Sequence, residues 1–294
     1  MSLFLTQLFD GLALGAIYAS LALAIVLVYQ STELLNFAQG EMAMFAAYIA
    51  WQLGSFGFSP WLALAVTLPI AFLAGLAIER TVIRKFENKS GVTVMVVTLG
   101  LFLVINNAAG WIWGFQVKSF PSIFPPGIAI TVGGAPIAWG TIGTVGLLIV
   151  VVGVLYLLIN HTRIGLAMRA VAGNPESSSL AGLRVGRLLM LGWGLGSALG
   201  AISGILVAPK IFLQPSMMFG VLIYAFTAAV LGGMDSLVGA VVGGLLVGVT
   251  ENLAGTYIPG IGSDLKFAVA LIIIIAVLLI RPAGLLGSRR VARV

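Results

Sequence analysis

The sequence predicts an all-α integral membrane protein, a polytopic helical bundle of eight to nine crossings with one short or broken helix near residues 34–53. Three observations lead there. The chain is 60% hydrophobic and 8% charged, where a soluble globular chain carries about 25% charged residues. Its mean hydropathy is +1.15. Its basic residues fall into clusters separated by apolar stretches. A fold of 294 residues leaves much of its surface in contact with solvent, as surface-to-volume scaling requires. For most of this chain that solvent must be lipid.

Apolar runs of roughly 17–25 residues, the length a helix needs to cross a bilayer, occur at about 9–30, 60–78, 92–113, 138–159, 188–208, 217–233, 237–254 and 265–281. A ninth run, about 42–53, reaches only ~18 Å as a helix against a hydrocarbon core of ~30 Å. No basic residue precedes the first run, so a cleaved signal peptide is not expected.

Charge placement orders these segments. Arg80, Arg84, Lys85 and Lys89 form one group, Arg163, Arg169, Arg184 and Arg187 a second, and Arg281, Arg289, Arg290 and Arg293 a third. Clusters lying between apolar runs are the mark of cytoplasmic loops. The net charge of +6 therefore predicts a membrane topology and no nucleic-acid partner. With the three groups inside, the Pro- and Gly-rich segment 114–137, the turn at 209–215 and the stretch 255–264 lie outside. The later spans then alternate without conflict and the C-terminus is cytoplasmic. A full crossing by 34–53 makes nine crossings with the N-terminus outside; a dip and return makes eight with it inside. The lack of Lys and Arg before residue 80 favours the outside N-terminus.

Glycine is abundant at 38 residues. Gly192, Gly196, Gly200 and Gly204 recur every four residues, as do Gly239 with Gly243 and Gly244 with Gly248, which places each set near one helical face. Small residues on a face let membrane helices pack closely, and simple bundle packing is the expected role.

Few residues suit catalysis. There is no Cys and a single histidine, His161, which argues against zinc sites and Cys–His nucleophiles. Neither a phosphate-cradling G-x-x-x-x-G-K-[ST] loop nor a G-x-S-x-G elbow occurs. No catalytic or metal-ligating residue is assigned. The polar candidates lie elsewhere. Residues 33–41 (ELLNFAQGE) set Glu33, Asn36, Gln39 and Glu41 between a full span and the undersized run. Polar groups at membrane depth need protein or water partners, and interrupted helices often build transporter sites. An interfacial loop before a tilted short helix is the plainer alternative. Asn106 and Asn107 lie deep in the span 92–113, where they act as interhelical glue or line a polar pathway. Glu251 and Asn252 sit near the outer end of their span, where Glu251 is expected to snorkel to the interface.

In the loop 160–187, Asn174-Pro175-Glu176 reads as N-cap, first-turn proline and first-turn acid. The expected helix runs two or three turns, carries Leu180 and Leu183, and is limited by Gly182 and Gly186. Flanked by Arg169, Arg184 and Arg187, it fits a partner's groove or the lipid headgroups equally.

Four blocks carry a resemblance to a known family: Gly11–Tyr48, Ile164–Val185 (IGLAMRAVAGNPESSSLAGLRV), Tyr224–Leu253 and the ending Arg281–Gly287 (RPAGLLG). Their order and content resemble LivH-type branched-chain amino-acid permeases of ABC importers, with a looser match over about 85–160. Gln39 stands where many members carry histidine, so no protonating role is expected there. The resemblance implies a single transmembrane permease domain over 1–294 in a bacterial or archaeal inner membrane, with a cytoplasmic coupling loop at about 160–187. It also implies a second LivH/LivM-type permease subunit, two cytoplasmic ATPase subunits that bind ATP and Mg, and an external solute-binding protein. In that setting Arg169, Asn174, Pro175, Glu176, Leu180, Leu183 and Arg184 belong to the ATPase-coupling loop. Asn36, Gln39, Glu41, Asn106 and Asn107 are candidates for the translocation pathway. A stand-alone secondary transporter or channel is the alternative, and it would need ion-coupling carboxylates mid-span, where few acids lie. A membrane enzyme would need a cluster of catalytic polar groups at one depth. Neither the cargo (aliphatic amino acid, urea or short amide) nor the choice between homodimer and heterodimer follows from any residue.

Overall fold

A computed structural model describes residues 1–32, 34–86, 89–258 and 265–287. Glu33, Arg289, Arg290, Arg293 and the end of the 255–264 stretch lie outside the described residues. The chain is an all-α polytopic membrane protein. Its helices are α1 (Ser2–Thr32), α2 (Gln39–Ser55), α3 (Pro60–Thr81), α4 (Gly91–Trp113), α5 (Trp139–His161), α6 (Arg163–Gly173), α7 (Pro175–Leu180), α8 (Val185–Ile211), α9 (Met218–Gly232), α10 (Leu237–Tyr257) and α11 (Lys266–Ile280), with a 3-10 turn at Ile83–Phe86 after α3.

Among the described residues six stretches (α1, α3 with its 3-10 turn, α4, α5, α8 and α10) are long and apolar enough to cross a membrane; α9 and α11 are apolar but shorter. The helix after the break, α2, has 17 residues, longer than its 12-residue apolar run because Gln39, Gly40 and Glu41 join its first turn. Helix starts follow local chemistry. Ser59, Ser90, Thr162, Asn174 and Ser236 each accept a hydrogen bond from a backbone N–H of the turn they cap, the usual use of short polar side chains at that position.

Two features were not expected. The Pro- and Gly-rich segment 114–137 holds an antiparallel hairpin, β1 (Ile128–Val132) and β2 (Ala135–Ala138), with Val132 opposite Ala135. Its two-residue turn, Gly133-Gly134, has both φ angles positive, 58° and 79°, the backbone a tight hairpin requires. The second is α6, which precedes the expected loop helix as a separate element.

The chain divides into two compact units. In the unit of Leu27–Ile123 and Ile149–Phe219, α3 and α2 both pack along α8, and α4 packs on α2. Val28, Met42, Ile83 and Trp193 form one buried cluster there, and Ala46, Ala71 and Ala201 another. The glycine stripe of α8 faces this packing. A Cβ on Gly204 would collide with the Ala43 carbonyl of α2, and one on Gly192 with Ser31.

In the unit of Met1–Val26, Phe124–Leu148 and Gly220–Val294, the glycines of α10 serve two neighbours. Gly244 and Gly248 meet the backbone of α1 at Ala19 and Gly15, while Gly239 and Gly243 meet α9 at Gly232 and Ala228. The ending Arg281–Gly287 folds onto the end of α9, where Leu285 and Leu286 donate to the Leu231 and Gly232 carbonyls at 2.7 and 2.9 Å. A Cβ on Gly284 would lie 2.5 Å from the Gly233 nitrogen.

Candidate functional site

The break between α1 and α2 organises a buried polar cluster. Asn36 ends the extended stretch: its Oδ1 accepts from the Ala38 N–H at 3.0 Å, and its Nδ2 donates to Gln39 Oε1 at 3.0 Å. Gln39 in turn donates through Nε2 to the Gly196 carbonyl of α8 at 2.9 Å. A helical carbonyl is open to such a donor only where the helix surface is bare. The glycine stripe provides that opening, since a Cβ on Gly200 would stand 2.9 Å from the same Nε2. Packing and polar contact at this place share one cause.

Two residues further, Glu41 accepts at Oε2 from Asn106 Nδ2 of α4 at 3.0 Å, and Asn106 also donates to the Pro215 carbonyl at 2.9 Å. Asn36, Gln39 and Glu41 are all buried. Above them on α2, Phe45 and Tyr48 pack on Trp113, Tyr48 stacked at 4.9 Å between centroids. Trp113 Nε1 donates to Gln52 Oε1 at 3.1 Å. The α2–α4 seam is thus polar at the break and aromatic beyond it.

Four of the five expected pathway residues meet in this way. Asn107 does not join them: it is exposed, and its amide donates to the Leu103 carbonyl of its own helix at 2.8 Å. Consecutive residues on a helix do not share a face, so one of the pair had to turn away.

The loop residues gather at α6 and α7. Asn174 Oδ1 caps α7 by accepting from Ser177 N–H at 2.8 Å, Pro175 opens the helix and Glu176 lies in its first turn. The helix stops at Leu180, shorter than expected, because Gly182 turns with a positive φ of 84°. Leu180 is 86% exposed. Leu183 falls beyond the helix, half-buried, with its N–H on the Ser178 carbonyl at 3.0 Å, so the two leucines share no helical face. Arg169 reaches Asn160 Oδ1 at 3.2 Å, and Arg184 caps α8 through its carbonyl, which accepts from Leu188 N–H. Ile164 and Leu166 of α6 are also exposed.

A second polar cluster, in the other unit, corrects one expectation. Glu251 does not snorkel; it is buried and accepts from the Tyr18 hydroxyl of α1 at 2.8 Å. Tyr18 stacks on Tyr224 at 4.9 Å, and Asn252 donates to the carbonyl and the side-chain oxygen of Gln7, both at 2.7 Å. The close approach of α1 to α10 at Gly244 and Gly248 accompanies this burial. Tyr224 also hydrogen-bonds Glu251, so Tyr18→Phe removes one of two tyrosine donors and should cost about 1 kcal/mol. A lowered midpoint in thermal unfolding of the purified protein measures it.

Among the described residues no group of three or more His, Cys, Asp or Glu side chains is placed to hold a metal ion.

An apolar helical bundle whose polar side chains are gathered at a helix break is the architecture of a multi-pass membrane transport protein. More narrowly, the chain belongs to the family described as branched-chain amino acid transport system / permease component, whose model matches residues 7–278. That family is one of transport permeases. Among similar proteins, the high-affinity branched-chain amino acid transport system permease protein LivH of Salmonella typhimurium is 32% identical over 306 residues, covering 99% of this chain and 98% of that protein. The corresponding BraD of Pseudomonas aeruginosa is 31% identical, with 99% and 98% covered. A probable branched-chain amino acid transport permease protein LivH of Methanocaldococcus jannaschii is 29% identical, with 91% and 87% covered.

Proposed function

We propose that this chain is the membrane-spanning permease subunit of an ABC importer, moving branched-chain or related amino acids across the inner membrane by alternating access. It works beside a second permease subunit and receives cargo from an external solute-binding protein. Two cytoplasmic ATPase subunits hold ATP and Mg, and their closure pushes on the loop 160–187. The family match over residues 7–278 supports the reading, and one observation carries the coupling step: a capped helix, α7, holds Leu180 out at 86% exposure, uncovered by any of the described residues. An exposed leucine on a short rigid helix suits a partner's groove.

In this reading Arg169, Asn174, Pro175, Glu176, Leu183 and Arg184 hold the docking helix in place. The cluster Asn36–Gln39–Glu41–Asn106 lines the pathway, where buried hydrogen-bonding groups at a helix break can exchange partners as the bundle opens. Selectivity rests mainly with the binding protein.

The test is reconstitution with the partner subunits in vesicles. Leu180→Asp should lower transport-coupled ATP hydrolysis at least tenfold, a loss of about 1.4 kcal/mol or more in coupling, with membrane insertion unchanged. Undiminished coupling, or uptake by the purified subunit alone, would overturn the assignment. Calorimetric titration of the cognate binding protein with leucine, urea and acetamide identifies the cargo.

A further inference from the structure

Behind α7 lies a contact that the docking helix alone does not explain. Glu79, in the last turn of α3, is buried with its side chain 2% exposed. Arg84, in the 3-10 turn that follows, grips it with two bonds, Nη2 to Oε2 at 2.7 Å and Nε to Oε1 at 3.2 Å. The same Nη2 also donates to the Gly186 carbonyl at 2.6 Å. Gly186 is the second residue of α8, just after the turn that leaves α7. One guanidinium therefore joins the cytoplasmic end of α3 to the point where the docking loop enters the bundle.

The surroundings make this link matter. A cavity of about 230 Å³ separates the loop from the bundle, bounded by Thr32 at the end of α1, Glu79, Arg84, Val171 of α6, Pro175 of α7 and Leu189 of α8. Continuous packing is interrupted there, so α7 has room to shift. Displacement of the loop is then passed on through the hydrogen bonds that cross beside the gap. From Arg84 it enters α3, which packs along α8, and the same helices support α2 and its polar cluster.

We infer that Glu79 and Arg84 form a positioning latch that transmits movement of the docking loop at Gly186 into α3. The inference rests on the reading of α7 as the ATPase-docking element. Geometry explains the choice of arginine: its planar fork serves the carboxylate and the carbonyl in different directions, whereas a lysine ammonium presents one point charge on a flexible stem. Arg84→Lys keeps the buried carboxylate neutralised and gives up the fixed three-bond arrangement. A second variant approaches from the other side. An added Cβ on Gly186 would already make van der Waals contact with the guanidinium carbon, at 3.4 Å, so the further carbons of Gly186→Leu should crowd Arg84 away from the carbonyl while leaving it beside Glu79. Leucine also suits a helix better than glycine.

The experiment compares wild type, Arg84→Lys and Gly186→Leu in the full transporter, reconstituted in vesicles. It reads ATP hydrolysis without cargo, its stimulation by loaded binding protein, solute moved per ATP, and the unfolding midpoint. Both variants should hydrolyse ATP without cargo at the wild-type rate and unfold within a few degrees of wild type. The solute moved per ATP should fall about tenfold, within the range that coupling free energies span. Normal solute-to-ATP ratios in both variants would overturn the latch, as would a loss of the ratio that merely tracks the unfolding midpoint. Leu180→Asp, run in parallel, separates the two ideas. If it uncouples while both latch variants do not, the latch fails alone; if it too leaves coupling intact, the docking reading fails first.

Discussion

Replacing Gly204 by leucine is expected to remove the folded protein from the membrane fraction. A side chain there has no space, because its Cβ would run into the Ala43 carbonyl, with the Ala43 Cα only 3.5 Å away. The obstacle is backbone, which cannot swing aside as a side chain does. Overpacking in a closed core costs about 1–3 kcal/mol and sometimes more, and here α8 would have to lift off α2 along the seam that also holds Gln39. That separation would strip the Gln39 amide of the Gly196 carbonyl and leave a polar group buried without a partner, a further ~1–3 kcal/mol. Gly100→Leu is the matched control, for nothing lies within 4 Å of its added Cβ. Fluorescence-detected size-exclusion of the two variants gives the answer. Equal monodisperse yields would mean that α2 and α8 do not meet as described.

The second large effect concerns Asn106. Asn106→Leu removes the donor that Glu41 uses at 3.0 Å and frees the Pro215 carbonyl at the same time. Leaving a buried acceptor without its donor costs about 1–3 kcal/mol. If the cluster lines the pathway, transport in vesicles should fall roughly ten- to hundredfold on that energy scale. Asn107→Leu should stay within about twofold, since its amide serves only its own helix and an exposed substitution of this kind usually changes stability by less than ~0.5 kcal/mol. Equal effects of the two substitutions would remove Asn106 from any role at the break. A loss of transport that follows protein yield, with normal rates per folded molecule, would reduce the Glu41–Asn106 contact to a structural one.

Much of the fold was legible because lipid imposes a coarse rule: a crossing helix must be long and apolar. The nine apolar runs correspond to α1–α5 and α8–α11, with ends displaced by a few residues. The break at 34–38 was legible for the same reason, since Asn36, Gln39 and Glu41 interrupt a pattern otherwise apolar. The hairpin was overlooked although its signal was present, two Gly residues between IAITV and APIA. Its Pro- and Gly-rich setting reads as loop until strand pairing is considered. Helix α7 began where its cap and proline said it would, but its end was misjudged. Leu183 seemed to share a face with Leu180, and only the left-handed backbone at Gly182 separates them.

By itself the sequence determined that this chain lives in lipid, which stretches form its apolar helices, where the helix break falls and where α7 begins. All of these depend on properties of residues close together in the chain: hydropathy, cap chemistry, the absence of a proline or a charge. Only the tertiary structure decided that Asn106 and not Asn107 reaches Glu41, that Glu251 is enclosed by Tyr18, and that Arg84 ties α3 to Gly186. Those contacts join residues 65, 233 and 102 positions apart. Helical periodicity names the face a residue occupies but not the neighbour that face will meet; the neighbour is chosen when backbones close over bare glycine surfaces, and that choice is made by packing.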